Sequence, residues 1–355
     1  MIYLEHLIAY DGTYLYGLPT STVGENKTNA DITEKYFEGL EARTWTGNVT
    51  YWDGSSRTVT LPIAYSSKDN KYYLMDLARK IAVGDYYSFM YQGYPSIDSS
   101  TDGETWNNAH LITYMNYIVS YDFYADLGYE SVDGFGTPIM ILCDYCDENG
   151  TPVNNACYCG IIVGWAVFAA SAANSYSEAV DVTTHEFTHG VTGYSRASNL
   201  YQNETGAINE SYSDIMGNIC EMMTGYTYDQ DQWLLGEMAG ATMRSMSSPH
   251  DFKQPVSKSD PYYLPPTNNP SNDNDLGGVH QNSSLLAQIA YQLWAKGMSL
   301  EECRSLWLTS SEMLTPLSVY PDVYGMLLMS VDINQLDPSY KQMITDAFHA
   351  AGLLN

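Results

Sequence analysis

The chain has 355 residues and seven histidines, two of which stand four residues apart in Val182-Thr-Thr-His185-Glu186-Phe-Thr-His189-Gly190. On a helix, positions i and i+4 share one face, so both imidazoles can reach one metal ion. Two histidines and one further protein ligand leave a zinc ion with a position open to water, the arrangement that hydrolysis needs. Glu186, between them, is then placed to take that water's proton. The third ligand should be an acid or a histidine on a neighbouring helix, and Glu210 is the best candidate, because the interval after His189 holds a loop and the first turn of the next helix. Asp214, four residues on, shares its face and can accept a hydrogen bond from the far nitrogen of a ligating imidazole, fixing its tautomer. Alone, an HExxH string is common to many unrelated hydrolases, and a solvated helix with two chance histidines produces it too.

These side chains need rigid carriers. Val180, Thr184, Phe187 and Val191 repeat at the helical period, and Ser175-Tyr-Ser-Glu178 ahead of them has capping-box spacing. The histidine segment therefore reads as a helix running to about Gly193, buried between two halves of the molecule. Glu210 and Asp214 fall in residues 206–223, a second helix that stops near Gly225. Upstream the pattern is β: Asn48-Val-Thr-Tyr-Trp-Asp53-Gly54 and Arg57-Thr-Val-Thr-Leu make a hairpin signal around the DG turn. Between Thr105 and about Tyr124, Leu111, Met115, Ile118 and Tyr121 have helical spacing. His110, near the start of that segment, has no partner at metal spacing and reads as a hydrogen-bonded structural residue. Beyond a polar loop at 247–276 the pattern is helical, at about 282–296, 299–313, 321–332 and 339–351. An α+β chain follows: an N-terminal extension at 1–41, a β-rich domain at 42–193 ending in the histidine helix, and a mainly helical domain at 194–355.

Composition narrows the partners. Acidic residues number 42 against 15 basic ones, a formal charge of −27, which argues against nucleic acid and anionic membrane surfaces. Some of those carboxylates can hold calcium. The chain contains no apolar run of the ~18 residues a membrane span requires, and Met1-Ile-Tyr-Leu-Glu-His lacks the basic and then apolar regions of a secretion signal. Four of the six cysteines crowd into Cys143-Asp-Tyr-Cys146 and Cys157-Tyr-Cys159, around the turn-like Asp147-Glu-Asn-Gly-Thr-Pro152. A four-cysteine zinc site is conceivable, but the C-x-C spacer fits the usual knuckles poorly. Hairpin disulfides are the expectation, and with them an oxidising compartment. Cys220 and Cys303 read as ordinary buried thiols.

Three stretches carry a resemblance when taken together. His185-Glu-Phe-Thr-His189, Leu200-Tyr-Gln-Asn-Glu-Thr-Gly-Ala-Ile-Asn-Glu210-Ser-Tyr-Ser-Asp214-Ile and Asp275-Leu-Gly-Gly-Val-His280-Gln-Asn-Ser look like the motifs of the thermolysin-like zinc metallopeptidases. The similarity runs from about Thr44 to the C-terminus. It implies a two-domain fold with the active-site helix between a β-rich and a helical domain. It also implies zinc on His185, His189 and Glu210 with Asp214 behind them, Glu186 as general base, Tyr201 and His280 as donors to the oxyanion, and Asp275 orienting His280. On the substrate side, Asn155 and Ala156 match edge-strand residues that bind the peptide backbone, and Arg244 matches an arginine on the carbonyl beside the cleaved bond. Val182, Leu235 and Met243 match an apolar pocket, hence a preference for a hydrophobic residue just after the scissile bond. Asp181, Glu221 and Glu237 match acidic calcium ligands, with Asp229 or Asp231 as a fourth. Leu234 stands where that family has a ligating glutamate and Ala241 where another site has an aspartate, so at most one calcium is expected.

The resulting expectation is a secreted, monomeric zinc endopeptidase acting on peptides or proteins, with one catalytic Zn2+ and a structural Ca2+. The family's signal peptide and inhibitory propeptide have no recognisable counterpart, and residues 1–41 read as a propeptide remnant or an extension. Two other functions compete. A zinc aminopeptidase would need acidic groups gripping a free amino terminus, for which no motif is present. A zinc-containing adhesion or binding module that has lost catalysis should lack the base or the oxyanion donors, and Glu186, Tyr201 and His280 are all here.

Overall fold

A computed structural model describes residues 35–92, 96–162, 164–171, 176–194, 201–225, 233–240 and 242–354. These fall into two compact units, one ending at Ala179 and the other beginning at Val180. The first is rich in β-structure and the second is mainly helical, an α+β architecture.

In the first unit, β1 (Glu41–Thr50) and β2 (Ser56–Ser66) form an antiparallel hairpin in unbroken register from Glu41↔Tyr65 to Thr50↔Ser56. They continue through β3 (Lys71–Tyr73) to β6 (Ser99–Ser100) as a four-stranded sheet. A second sheet has the order β4 (Met75–Asp76), β5 (Ile81–Asp85), β7 (Ile139–Cys143), β9 (Trp165–Ala170) and β8 (Ala156–Ile162). Its inner strands β5, β7 and β9 run parallel and are almost wholly buried. Strands covered on both faces read as continuous apolar runs rather than alternating ones, which accounts for Ile-Met-Ile-Leu-Cys and Trp-Ala-Val-Phe-Ala-Ala. Helix α1 (Asn108–Ala125) lies in the connection from β6 to β7 and starts where the Asn107 side chain accepts the Ala109 N–H at 2.9 Å. Its Tyr117 ring packs 4.8 Å from that of Phe168 on β9. Strand β8 is the edge of the sheet and carries a bulge between Tyr158 and Gly160.

His110, near the start of α1, is held from both sides, with Nδ1 2.9 Å from Asp98 and Nε2 3.3 Å from Asp144. Burial opposes its charge, but the two carboxylates prevail and raise its pKa to about 9. The expected hairpin disulfides do not form: all six cysteines carry thiols. Cys143 ends the interior strand β7, and Cys146 packs into an apolar cluster with Tyr86, Tyr145 and Trp165. Cys157 and Cys159 are two apart on one strand, with their Sγ atoms 3.6 Å from each other. A disulfide needs its sulfurs ~2.0 Å apart, well inside that separation. Cys220 and Cys303 are fully buried.

The second unit opens with α2 (Val180–Tyr194), crossed by α3 (Asn203–Thr224). Gly217 sits at the crossing: a Cβ there would lie 2.4 Å from the backbone oxygen of Asp181, so only glycine lets the two helices approach this closely. A two-stranded ribbon of β10 (Leu234–Leu235) and β11 (Arg244–Ser245) follows. Next come α4 (Ser284–Ala295), α5 (Leu300–Met313), α6 (Tyr320–Ile333) and α7 (Tyr340–Ala350). Ser299 and Glu302 cap α5 reciprocally. Phe187, Tyr212, Leu286 and Trp307 are core residues of this unit, and the Tyr212 hydroxyl meets Ser310 Oγ at 2.9 Å.

Candidate metal and catalytic centre

Successive turns of α2 bring His185 and His189 together, with their Nε2 atoms 3.0 Å apart. From α3, Glu210 places Oε2 3.5 Å from His185 Nε2 and Oε1 3.3 Å from His189 Nε2. Two imidazole nitrogens this close cannot both carry hydrogen, and the buried Glu210 Oε2 has no hydrogen-bond donor. A cation bound by two imidazoles and a carboxylate at ~2.0–2.2 Å would resolve both problems, and this donor set is that of a catalytic zinc site. Electrostatics agree. Burial works against a charge on Glu210, but His280 and His189 outweigh it and hold the carboxyl well below the usual range. Burial likewise opposes protonation of His189, yet the Glu210 carboxylate raises its pKa to about 9. The pocket is built to hold positive charge.

The far nitrogens are fixed by groups behind the rings. His185 Nδ1 lies 2.9 Å from Asp214 Oδ1, and Asp214 also accepts from Arg244 Nη2 at 2.7 Å and from Ser283 Oγ at 3.1 Å. His189 Nδ1 lies 2.6 Å from Asn209 Oδ1. Asn209 Nδ2 donates to Thr192 Oγ1 at 2.7 Å, which orients the amide so that its oxygen faces the imidazole. In the neutral rings these partners favour hydrogen on Nδ1, which leaves both Nε2 lone pairs facing one point, as metal binding requires. Glu186, half-buried on the same helix, lies close enough for its charge to favour protonation of His189.

On the other side of Glu210, the Tyr201 hydroxyl donates to Oε1 and stands 3.3 Å from His280 Nε2. Asp275 clasps the His280 segment: Oδ1 is 2.6 Å from His280 Nδ1, and Oδ2 accepts the backbone N–H of His280 at 2.9 Å and of Gln281 at 2.8 Å. The clasp requires a left-handed turn, with φ of 53° at Asp275, 50° at Leu276, 85° at Gly277 and 89° at Gly278. Burial disfavours an imidazolium at His280, but Glu210 and Asp275 together lift its pKa above the ordinary value. The shift favours the form in which Nε2 carries hydrogen and can donate beside Tyr201.

One turn before His185, Asp181 meets Glu221 and Glu237, each offering an oxygen within 4.8 Å of the others. Backbone N–H groups of Val182 and Gly236 reach Asp181 at 2.7 and 2.5 Å, whereas neither oxygen of Glu221 has a hydrogen-bond partner. Burial, reinforced by Glu237, raises the Asp181 pKa, and burial reinforced by Asp181 raises that of Glu221. Protons or a divalent cation must sit among these groups. Asp229, Asp231 and Ala241 lie outside the described residues.

With this geometry in place, comparison with known proteins is decisive for ancestry. The model of the thermolysin metallopeptidase catalytic domain matches residues 46–193, and that of the thermolysin metallopeptidase alpha-helical domain matches residues 197–353. The chain belongs to the thermolysin metallopeptidase family. It is 29% identical to bacillolysin of Bacillus subtilis (strain 168) over 92% of this chain and 61% of that protein, so it spans about three fifths of that relative's length. It is also 29% identical to the neutral protease NprE of Bacillus pumilus, over 78% of this chain and 91% of that one. The precursor of protealysin, a metalloproteinase from Serratia proteamaculans, shares the fold, with a TM-score of 0.62 and 24% identity over 77% of this chain and 87% of that one. The family models divide the chain after α2, whereas packing divides it before α2.

Within this thermolysin-family chain, Val182 on α2 and Leu235 on β10 are buried, and the Met243 N–H bonds the Leu235 carbonyl at 2.8 Å. Arg244 is tied to Asp214 and keeps a buried Nε without a partner. Asn155 and Ala156 lie in the first unit at the start of the edge strand β8, where the Asn155 carbonyl accepts the Ser171 N–H at 3.1 Å. Asn209, Ser213 and Ser283, which brace the histidines and Asp214, are groups that sequence reasoning passes over. The i,i+4 spacing of Asn209 and Ser213 was the available signal, since it puts both on one helix face.

Proposed function

We propose that this chain is a zinc-dependent endopeptidase of the thermolysin type. The observation that carries the reading is one pocket in which two Nε2 atoms and the Glu210 carboxylate converge beside two hydrogen-bond donors, Tyr201 and His280. Zinc bound to His185, His189 and Glu210 would polarise a substrate carbonyl and acidify water. Glu186 takes the proton of the attacking water and passes it to the leaving amine. The Tyr201 hydroxyl and His280 Nε2–H donate to the carbonyl oxygen as it becomes negative, and Asp275 keeps His280 oriented and charged. Arg244, braced by Asp214, offers its remaining N–H groups to the carbonyl beside the cleaved bond. Val182, Leu235 and Met243 favour a hydrophobic residue after that bond, while Asn155 and Ala156 pair with the peptide backbone. Asp181, Glu221 and Glu237 would hold one calcium ion, which would brace the start of α2. The protein acts as a secreted monomer, and among the described residues no helix is long and apolar enough to cross a membrane.

Hydrolysis of an end-blocked peptide library by wild type, chelated protein and Glu186→Gln tests this. Glu186→Gln should retain zinc and lose about 10²–10⁴-fold in rate, and equal turnover in all three samples refutes the mechanism. Blocked ends separate an endopeptidase from an aminopeptidase. Equal cutting before Asp or Lys and before Leu refutes the pocket.

A further inference from the structure

Two asparagine side chains clasp one short stretch of backbone in the second unit. In Leu264-Pro265-Pro266-Thr267 the prolines have no N–H, so the backbone of the stretch can donate only from Leu264 and Thr267. Each of these goes to an asparagine. Leu264 donates its N–H to Asn282 Oδ1 at 3.1 Å, and its carbonyl accepts from Asn282 Nδ2 at 2.7 Å. Thr267 donates to Asn203 Oδ1 at 2.9 Å, and its carbonyl accepts from Asn203 Nδ2 at 3.2 Å. A carboxamide that both donates to and accepts from one residue imitates a neighbouring β-strand and fixes the position of that residue.

The placement of the two clamps is what matters. Asn203 follows Tyr201 by two residues and opens α3, and Asn282 follows His280 by two. The flanks of both oxyanion donors are therefore tied to the same strap. Asn203 also bears on the left-handed turn: a Cβ added to Gly277 would lie 2.0 Å from Asn203 Oδ1. Asn203 itself has a φ of 50°, a conformation that asparagine tolerates better than most residues with a side chain.

We propose that Asn203 is a positioning residue for the Tyr201–His280 pair: by gripping Thr267 and seating Gly277 it sets the separation of the two donors, with Asn282 as the opposite half of the clamp. The proposal deepens the peptidase reading above and rests on it. Asn203 touches none of the reacting groups, and its effect passes through the strap and the turn. Loss of the clamp lets the His280 segment drift relative to Tyr201, and a displacement of about 1 Å at a catalytic donor costs on the order of 100-fold in rate.

Asn203→Gly tests this cleanly, because glycine keeps the left-handed backbone and removes only the amide. Asn203→Asp is the second variant, keeping the acceptor for the Thr267 N–H while losing the donor. In the zinc-loaded protein, Asn203→Gly should lower kcat about 10- to 100-fold with KM within about twofold. Binding of a phosphinic peptide, whose tetrahedral oxygens occupy the oxyanion position, should weaken in step, and Asn203→Asp should fall between the variant and wild type. Zinc content is measured alongside. Unchanged kcat and phosphinic-peptide affinity, or a kcat loss matched by an equal loss of zinc, overturns the proposal. Hydrogen exchange at the amides of Thr267, His280 and Gln281 gives a readout that needs no catalysis, and it should quicken about 10-fold or more in Asn203→Gly. If wild type cleaves no peptide, the peptidase reading fails by itself. Exchange then decides the clamp, and unaltered rates at those amides overturn it.

Discussion

Replacing Gly217 by alanine tests whether the crossing of α2 and α3 sets the metal site. The added Cβ would fall 2.4 Å from the Asp181 oxygen and 3.2 Å from its carbonyl carbon. Non-bonded heavy atoms sit comfortably at ~3.5 Å, so the gap is short by about 1 Å. The obstruction is backbone, and no side-chain rotation relieves it. Overpacking of this kind costs about 3 kcal/mol at the upper end of the usual range, and the helix preference of alanine over glycine offsets about 1 kcal/mol. The net loss of about 2 kcal/mol corresponds to about 4–8 °C in melting midpoint for a unit of this size. Metal binding should suffer more. His185 and His189 ride on α2 and Glu210 on α3, and a metal site tolerates only ~0.2 Å in its ligand distances. A parting of the helices by ~1 Å should weaken zinc beyond the ~10- to 100-fold typical of disturbing the groups behind the ligands. Competition with a chromophoric chelator measures the affinity, and calorimetry measures the midpoint. Gly325→Ala is the control: this glycine lies inside α6 with nothing within 4 Å of an added Cβ. It should leave zinc affinity unchanged and add up to about 1 kcal/mol of stability. A Gly217→Ala protein that binds zinc like wild type and melts no lower would refute the reasoning.

Asp214→Asn removes the charge that faces His185 Nδ1 and leaves Arg244 with a weaker partner, so zinc affinity should fall ~10- to 100-fold by chelator competition; wild-type affinity would rule out that support. Glu221→Gln relieves repulsion among three buried carboxylates, so the variant should melt higher than wild type in chelator and lose any stabilisation by calcium. If calcium neither raises the wild-type midpoint nor appears in metal analysis, the cluster holds protons only. His110, whose pKa is raised from 6.5 to about 9, contributes stability that is fully present below about pH 6.5 and is lost as pH rises through about 9. The wild-type midpoint should therefore decline across that window while that of His110→Gln stays flatter, and parallel curves would remove His110 as the cause.

Local signals proved readable and non-local ones did not. The helices α3 to α7 announce themselves by period and by their ends, as with Gly225 closing α3 and Ser299 capping α5. The DG turn likewise marks the β1–β2 hairpin. The parallel pairing of β5, β7 and β9 is invisible beforehand, because three similar apolar runs far apart in sequence say nothing about who neighbours whom. In the site, helical spacing is enough to put His185 with His189 and Glu210 with Asp214 on common faces. It cannot show that Asp275 and Leu276 adopt left-handed backbone, which only Gly277 and Gly278 hint at. The cysteines mislead for a physical reason: proximity in sequence around a turn is not proximity at bonding geometry, and Cys143 is claimed by the sheet interior.

Strand β8 leaves a row of backbone groups at the margin of its sheet, and such a margin will template pairing with any extended chain, another copy of this protein included. The register slip between Tyr158 and Gly160 limits that template. A long partner in step with Ala156, Cys157 and Tyr158 falls out of step beyond them, because the extra residue shifts the alternation and twists the margin away. The bulge works against flat, repetitive stacking of the kind that seeds fibrils and leaves only a short stretch in regular register. One inserted residue, Cys159, thus sets how long an extended chain this margin can pair with in step.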